Sequence, residues 1–436
     1  MGHLATQDRT YQLLQQRLDR NVTGAPESPV FTQILKLLFS PGEADIARQM
    51  PTTFVSLNRL ARKLEIPPDR LDDQLTAMAE RGLILDVLRD GKRYFTLSPV
   101  VIGFFEYTFM RTRDNVPMAE LARLFDEYFF QDDRFARSVF TGETQVGRSL
   151  VREEALPGGD SVEILDWERA SHIVESAKSH AVSLCACRHH HSHLGTACDQ
   201  PMRTCMTFNY GAEMLVRNGV AEPITAGEAM QLLADCKEGG LAQTADNVQD
   251  GVSYICNCCG CCCGMMSSIR TFNIRNTIVT SNWISEIDLE RCNGCGQCVK
   301  ACPVNAIEIA TGEIEGRHRK RWAVRDADLC LGCGVCYGSC KFGGLHMISR
   351  EQRVYTPETT FDRIVAMAIE RGKLADLIMD NTDGLGFMAL GRVVQVLEKL
   401  PPYKRALAVR PLKSVFLNTI VGGVKASAGK ASDVMN

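Results

Sequence analysis

CNGCGQCVKACP, from Cys292 to Pro303, and CLGCGVCYGSC, from Cys330 to Cys340, decide how this chain is read. The first run carries Cys292, Cys295, Cys298 and Cys302, the second Cys330, Cys333, Cys336 and Cys340. Both follow C-x2-C-x2-C-x3-C, a ligand spacing for [4Fe–4S] clusters. A cubane needs four thiolates at the corners of a tetrahedron, and a tight C-x2-C-x2-C loop supplies three of them. Structural zinc sites usually pair two short Cys/His couplets instead. Gly294 and Gly332 let each loop turn and bring backbone N–H groups toward the sulfurs.

The stretch from about Ile287 to Ile348 resembles the two-cluster ferredoxins of bacteria, on the strength of those two runs. In that pattern the fourth Cys of a run sits on a short helix that points away and ligates the other cluster. Cluster I is therefore expected on Cys292, Cys295, Cys298 and Cys340, and cluster II on Cys330, Cys333, Cys336 and Cys302. Two departures are visible. Lys341 stands where a proline is expected, and the segment between the runs is long, with the basic stretch GRHRKRW from Gly316 to Trp322. Neither removes a ligand.

The rest of the chain is modular. All 19 cysteines lie between Cys185 and Cys340, so a front without Cys and a tail without Cys flank a thiol-rich middle. An odd count, clustered short spacings and a polar start argue against a disulfide framework. They favour reduced thiols holding metal in a cytoplasmic setting. A net charge of −3 implies no global pull toward nucleic acid or anionic membrane. No run of ~18 apolar residues predicts a membrane span. The expected fold class is α+β multidomain. Its segments are a polar arm (1–28), a winged-helix-like and helical domain (29–150), a Cys-rich α/β metal domain (151–268), a two-[4Fe–4S] domain (269–350) and a helical tail (351–436).

In the front, FTQILKLLF has helical apolar spacing, and Ser56 is expected to cap a helix, LNRLARKLE. Asp69 is expected to cap a second helix, RLDDQLTAMAER, which Gly82 closes. Asp90-Gly91 then joins two strands in LILDVLRDGKRYFTL. Helix, helix, turn, helix and β-hairpin in this order resemble a winged helix-turn-helix from about Pro29 to Pro99. Its would-be recognition helix carries Asp69, Asp72, Asp73 and Glu80, and carboxylates oppose phosphate contacts. A protein-interaction module is expected, although Arg59, Arg62, Lys63, Lys92 and Arg93 leave some basic surface. Phe104, Phe105, Tyr107 and Phe109 read as core within a helix, VVIGFFEYTFMR, ahead of another, MAELARLFDEYFF. A strand is expected at Asp160 to Asp166 and a helix from Trp167 to Ser179.

A second cysteine region has two parts. AVSLCACRHHHSHLGTACDQPMRTC holds Cys185, Cys187, Cys198 and Cys205. YICNCCGCCCG holds Cys256, Cys258, Cys259, Cys261, Cys262 and Cys263. Between them a helix is expected, with a capping box at Thr225 and Glu228, a stop at Gly239-Gly240 and a buried Cys236. Idle thiols in such numbers would oxidise or scramble. The region is therefore expected to hold metal, as a third iron–sulfur cluster or, alternatively, zinc. Strand geometry puts Cys256 and Cys258 on one face and Cys259 on the other. The expected ligands are Cys187, Cys198, Cys205 and one of Cys256, Cys258 or Cys259. His189, His190, His191 and His193 read as a solvated loop, with ligation the alternative. Arg188 and Arg203 can offset cluster charge.

In the tail a helix is expected from Thr356-Pro357 through TFDRIVAMAIERG, then a second in FMALGRVVQVLEKL. A basic, apolar stretch follows from Tyr403 to Ala426. It is expected to fold back onto the ferredoxin-like domain, with peripheral membrane contact the alternative.

Taken over residues 30–350, the chain resembles multidomain 4Fe–4S ferredoxin-type proteins of anaerobic bacteria. They join a winged-helix-like front, a CxC…ICNCC-type region and a dicluster ferredoxin. The resemblance implies redox work and names no substrate. No Rossmann G-x-G-x-x-G on a βαβ unit and no P-loop is present, so electrons are expected to pass to and from redox protein partners. Two other readings stand beside electron transfer: a redox-sensing winged-helix regulator, and an oxidoreductase with a substrate-binding cluster in the second Cys region.

Overall fold

A computed structural model describes residues 2–156, 165–313 and 320–380. The chain forms two compact units. The described parts of the first are residues 2–144, 214–220 and 357–380. Those of the second are 145–156, 165–213, 221–313 and 320–356. The expected Cys-rich and two-cluster segments thus fall in one unit.

The first unit opens with α1 (Gly2–Asp19), α2 (Pro29–Leu38) and α3 (Pro41–Ala47). Residues 1–28 were expected as a polar arm, but α1 packs on α2 and α3. Tyr11, Leu14 and Leu18 recur at helical spacing and are buried, a narrow apolar stripe in an otherwise polar segment. The Tyr11 hydroxyl donates to the Phe39 carbonyl at 2.8 Å.

Next come β1 (Val55–Ser56), α4 (Leu57–Leu64), α5 (Pro68–Glu80), β2 (Ile84–Arg89) and β3 (Lys92–Leu97). The strands form an antiparallel sheet in the order β1-β3-β2. Asp90 and Gly91 both have positive φ, 49° and 69°, as a two-residue type I′ hairpin requires. Pro67, not Asp69, stands at the N-cap of α5; Pro68 opens the helix and moves Asp69 inside its first turn.

The stripe Phe104, Phe105, Tyr107 and Phe109 is buried as expected. It is not one helix with its forerunners. Residues 101–103 leave helical φ/ψ, and only α6 (Phe105–Phe109) is regular. Rings of Phe105, Phe125 and Phe129 pack with α7 (Met118–Phe130), and Phe135 of α8 (Arg134–Phe140) stacks on Phe129 at 4.5 Å.

The second unit is built on a six-stranded antiparallel sheet. Its strands are β4 (Gly147–Ser149), β5 (His180–Leu184), β6 (Arg203–Phe208), β7 (Glu222–Pro223), β8 (Ala242–Asp246) and β9 (Tyr254–Cys258), in the order β4-β8-β9-β6-β5-β7. The helices are α9 (Ala170–Ser176), α10 (Ala186–His193), α11 (Asn209–Arg217, counted with the first unit from Met214), α12 (Ala226–Glu238) and α13 (Gly264–Phe272). Asp166 belongs to a short 3-10 turn with Trp167 and Glu168, so the expected strand does not reach it. Residues 157–164 lie outside the described residues. The helix expected from Trp167 to Ser179 shrinks to α9, because Ala177 is extended. The Thr225–Glu228 capping box, the Gly239 stop and the buried Cys236 are all present.

The same unit continues into β10 (Trp283–Ile287), α14 (Gln297–Ala301), β11 (Ile307–Thr311), β12 (Arg321–Arg325), α15 (Val335–Ser339) and β13 (Leu345–Ser349). β10 pairs with β13 and β11 with β12.

The first unit is completed by α16 (Thr360–Glu370) and α17 (Leu374–Asp380). Thr359, not Thr356, caps α16, in a reciprocal capping box with Asp362. The second tail helix and the basic stretch from Tyr403, with its possible membrane contact, lie outside the described residues.

Candidate metal centres

Each ferredoxin-type run is a loop feeding a one-turn helix. Gly294, Gly296, Gly332 and Gly334 all have positive φ. A side chain at Gly294 would also meet the backbone of Arg321 at 2.7 Å, so the loop tolerates only glycine there. Backbone N–H groups aim at the sulfurs. Ala306 N–H donates to the Cys302 Sγ at 3.1 Å and Ala323 N–H to the Cys292 Sγ at 3.4 Å.

A cavity is lined by Cys292, Cys295, Cys298 and Cys340, which brings the last Cys of the second run to the first loop. Cys302 packs against two apolar clusters, one with Cys330 and Cys333 and one with Cys298 and Cys336, and its charge acts on Cys333 and Cys336. The two sites differ in access. Cys295 is exposed, whereas Cys330, Cys333 and Cys336 are buried. Burial pushes the Cys333 thiol up to about 12 and the Cys336 thiol higher still, and a bound cation would favour their ionised, ligating form. Arg152 and Arg350 hold the same run: Arg152 N–H donates to the Cys333 carbonyl at 3.2 Å and the Arg350 guanidinium to the Cys330 carbonyl at 2.6 Å. Their positive charge suits a thiolate-bound cluster. The donor set, its glycine loops and its amide-to-sulfur bonds fit [4Fe–4S] ligation.

Residues 291–343 match the family model described as a 4Fe-4S dicluster domain. This chain is an iron–sulfur protein with a ferredoxin-type dicluster domain. No curated protein and no solved structure matches it.

No disulfide joins any of the 19 cysteines of this iron–sulfur protein. In its second Cys region the thiols sort into two sets. Cys198, Cys259, Cys261 and Cys262 form a tight group whose sulfurs all lie within 4.8 Å of one another. Cys262 is 3.8 Å from Cys198 and 3.7 Å from Cys261. Around one ion with bonds of about 2.3 Å, tetrahedral sulfurs stand about 3.8 Å apart. A cubane spreads its four thiolates wider, because each radiates from a different iron. The tight group therefore has the dimensions of a single-ion site.

Cys259 is pulled down to about 4, first by a hydrogen bond from the Cys262 thiol, with Arg188 adding to the effect. The other set is Cys185, Cys187, Cys205, Cys256, Cys258 and Cys263. Its Cys258 is pulled down to about 6, mainly by hydrogen bonds from Cys256 and Cys263. Each set thus contains a thiol whose neighbours favour the thiolate, the form that binds metal.

The expected ligands divide between the sets. Cys198 and Cys259 join the tight group. Cys187, Cys205, Cys256 and Cys258 fall in the other, so Cys187, Cys198 and Cys205 do not gather as one site. Cys261 and Cys262 were not among the expected ligands. Their signal was Gly260, which turns the chain straight after Cys259 and folds both thiols back.

The histidines were expected in a solvated loop. They lie instead on α10, with His189 and His190 buried and the His191 ring 2.8 Å from the Thr196 hydroxyl. The helix follows from Cys185, which turns the chain out of β5 directly into α10. Among the described residues, no helix is long and apolar enough to cross a membrane.

Proposed function

We propose that the protein relays low-potential electrons between redox protein partners. In this reading cluster I, on Cys292, Cys295, Cys298 and Cys340, faces the partner. Cluster II, on Cys330, Cys333, Cys336 and Cys302, passes electrons to or from the second Cys region. The tight group there binds one tetrahedral thiophilic ion, zinc or a single iron.

One observation carries the reading. Cys258 and Cys263 share a single apolar core with Cys330 and Cys333, against which Cys256 and Cys302 also pack. The turn at Gly260 comes so close to Pro303, next to Cys302, that a Cβ there would meet the Pro303 carbonyl oxygen at 2.6 Å. The dicluster domain and the thiol region thus share one core, and the exposed Cys295 belongs to the first ferredoxin-type run. Exposure at one cluster and burial at the next suit entry from a docked partner and onward transfer within the chain.

The front has the element order of a winged helix, and the reading makes it an interaction module. Arg93 of the hairpin is held by Asp72 at 2.7 Å and by Asp86 at 3.1 Å, which removes a cation from any phosphate-facing surface. A redox-sensing regulator would bind specific DNA tighter than about 10⁻⁸ M at physiological salt. The relay reading expects only weak, salt-sensitive binding with the clusters intact.

The direct experiment is anaerobic reduction of the full chain by a low-potential donor, followed by EPR, then reoxidation by an acceptor protein. Reversible reduction of both [4Fe–4S] clusters is expected. Clusters that stay oxidised with every donor, or that break down on one cycle, would reject electron relay.

A further inference from the structure

Outside the tight group, six thiols form a continuous line. Sulfur contacts run from Cys205 to Cys256, Cys258, Cys263, Cys187 and Cys185 in turn. The sheet assembles them. Met206 faces Ile255 across β6 and β9, a register that sets Cys205 opposite Cys256. Cys256 and Cys258 share a face of β9. Cys263 stands at the N-cap of α13, while Cys185 caps α10 and Cys187 lies in its first turn.

Two features separate this line from the tight group. Among the described residues only the tight group draws its donor atoms to within 4.8 Å of one another; the six thiols are more spread. Six sulfurs also exceed the four that one tetrahedral ion accepts. A polynuclear cluster suits both the number and the spread.

Arg188 supplies an independent observation. Its side chain is fully buried, at 0% exposure. It donates to the Asn257 carbonyl at 3.2 Å and to the Thr204 hydroxyl, while its Nε has no hydrogen-bond partner. The charges around it are the sulfurs of Cys185 and Cys258 on one side and of Cys259, to which it also hydrogen-bonds, on the other. Arginine stays protonated in proteins, and a buried charge needs anionic partners around it. A metal–thiolate cluster of net negative charge on the Cys185–Cys258 side offsets it and gives Nε a sulfur acceptor.

We infer that Cys185, Cys187, Cys258 and Cys263 hold a polynuclear iron–sulfur cluster, distinct from the single-ion group, with Cys205 and Cys256 at its flank and Arg188 between the two sites. This deepens the relay reading, because Cys258 and Cys263 are the thiols that share a core with Cys330 and Cys333. The cluster stands between cluster II and the tight group.

The test uses the full chain purified anaerobically, with iron, zinc and sulfide counted per chain. Wild-type protein should carry about twelve irons, four for each of three cubane-sized clusters. The pair Cys187→Ser and Cys263→Ser should remove about four irons and the matching sulfide, and keep the single ion. The pair Cys198→Ser and Cys261→Ser should remove the single ion alone. The two ferredoxin EPR signals serve as the internal reference in each variant.

Wild-type protein with about eight irons, or a Cys187/Cys263 variant with undiminished iron, overturns the inference. So does loss of the same metal from both pairs. If the Cys187/Cys263 variant does not fold, the wild-type iron and sulfide count decides alone. Loss of the ferredoxin signals in wild-type protein would instead reject the relay reading, leaving the thiol-region count to be judged separately.

Discussion

The dicluster domain and the second Cys region use the same ligand and gather it differently. In the dicluster domain, eight thiolates come from two short runs, and glycine loops shape each site locally. In the second region, ten thiols come from two distant segments, and a six-stranded sheet brings them together. Local gathering places three ligands of each ferredoxin-type site within one run, so the site depends little on strand order. Assembly by a sheet makes the thiol sites depend on strand order, and a shared core ties them to the second ferredoxin-type run. The difference predicts where each site breaks.

The largest effect is expected at the thiolates themselves. Cys302→Ser should lose cluster II, about four irons, while cluster I keeps its EPR signal. Loss of the cluster I signal instead would mean that each run holds its own cluster, and the cavity formed by Cys340 and the first loop would have another use.

Arg188→Met should come next. Removing a buried cation beside anionic sulfur leaves that charge uncompensated, typically a loss of 3–5 kcal/mol or so. The thiol region should lose metal while cluster I is unchanged. Thermal unfolding and metal counts together check this, and an Arg188→Met protein with full metal and wild-type stability would remove Arg188 from the account.

A smaller effect separates contact from mere neighbourhood. Gly260→Ala drives a Cβ into the Pro303 backbone, at 2.6 Å from its oxygen and 2.9 Å from its Cα. Overpacking of this kind costs about 1–3 kcal/mol. Because Pro303 follows Cys302, the EPR signal of cluster II should shift and that of cluster I should not. The smallest effect belongs to Gly264→Ala, whose Cβ meets nothing within 4 Å. It should be neutral to within about 0.5 kcal/mol. Equal effects from the two glycines would mean that the loop does not bear on cluster II.

The same contrast explains what could be read from the residues alone. Spacing within a run is a local property, so the eight ferredoxin-type thiols and their glycine turns were legible, as was the Asp90-Gly91 hairpin. Strand alternation also told correctly that Cys256 and Cys258 part company with Cys259. What could not be read was which strands are neighbours. Cys205 meets Cys256 only because β6 pairs with β9, and nothing in either segment specifies that. Cys198 joins Cys261 and Cys262 from a stretch without regular structure, where no periodicity exists to interpret. The buried stripe of α1 was missed for a different reason: Tyr11, Leu14 and Leu18 are few among polar neighbours, and composition outweighed spacing.

The central claim is that the dicluster domain continues into a metal-loaded thiol region. Mössbauer spectroscopy of ⁵⁷Fe-labelled intact chain, with zinc and sulfide counted on the same anaerobic sample, tests it most directly. The account predicts about eight irons in two ferredoxin-type cubanes, a further polynuclear iron–sulfur component of about four irons, and one tetrahedral thiolate-bound ion. About eight irons, no other iron–sulfur component and no other bound metal would contradict it.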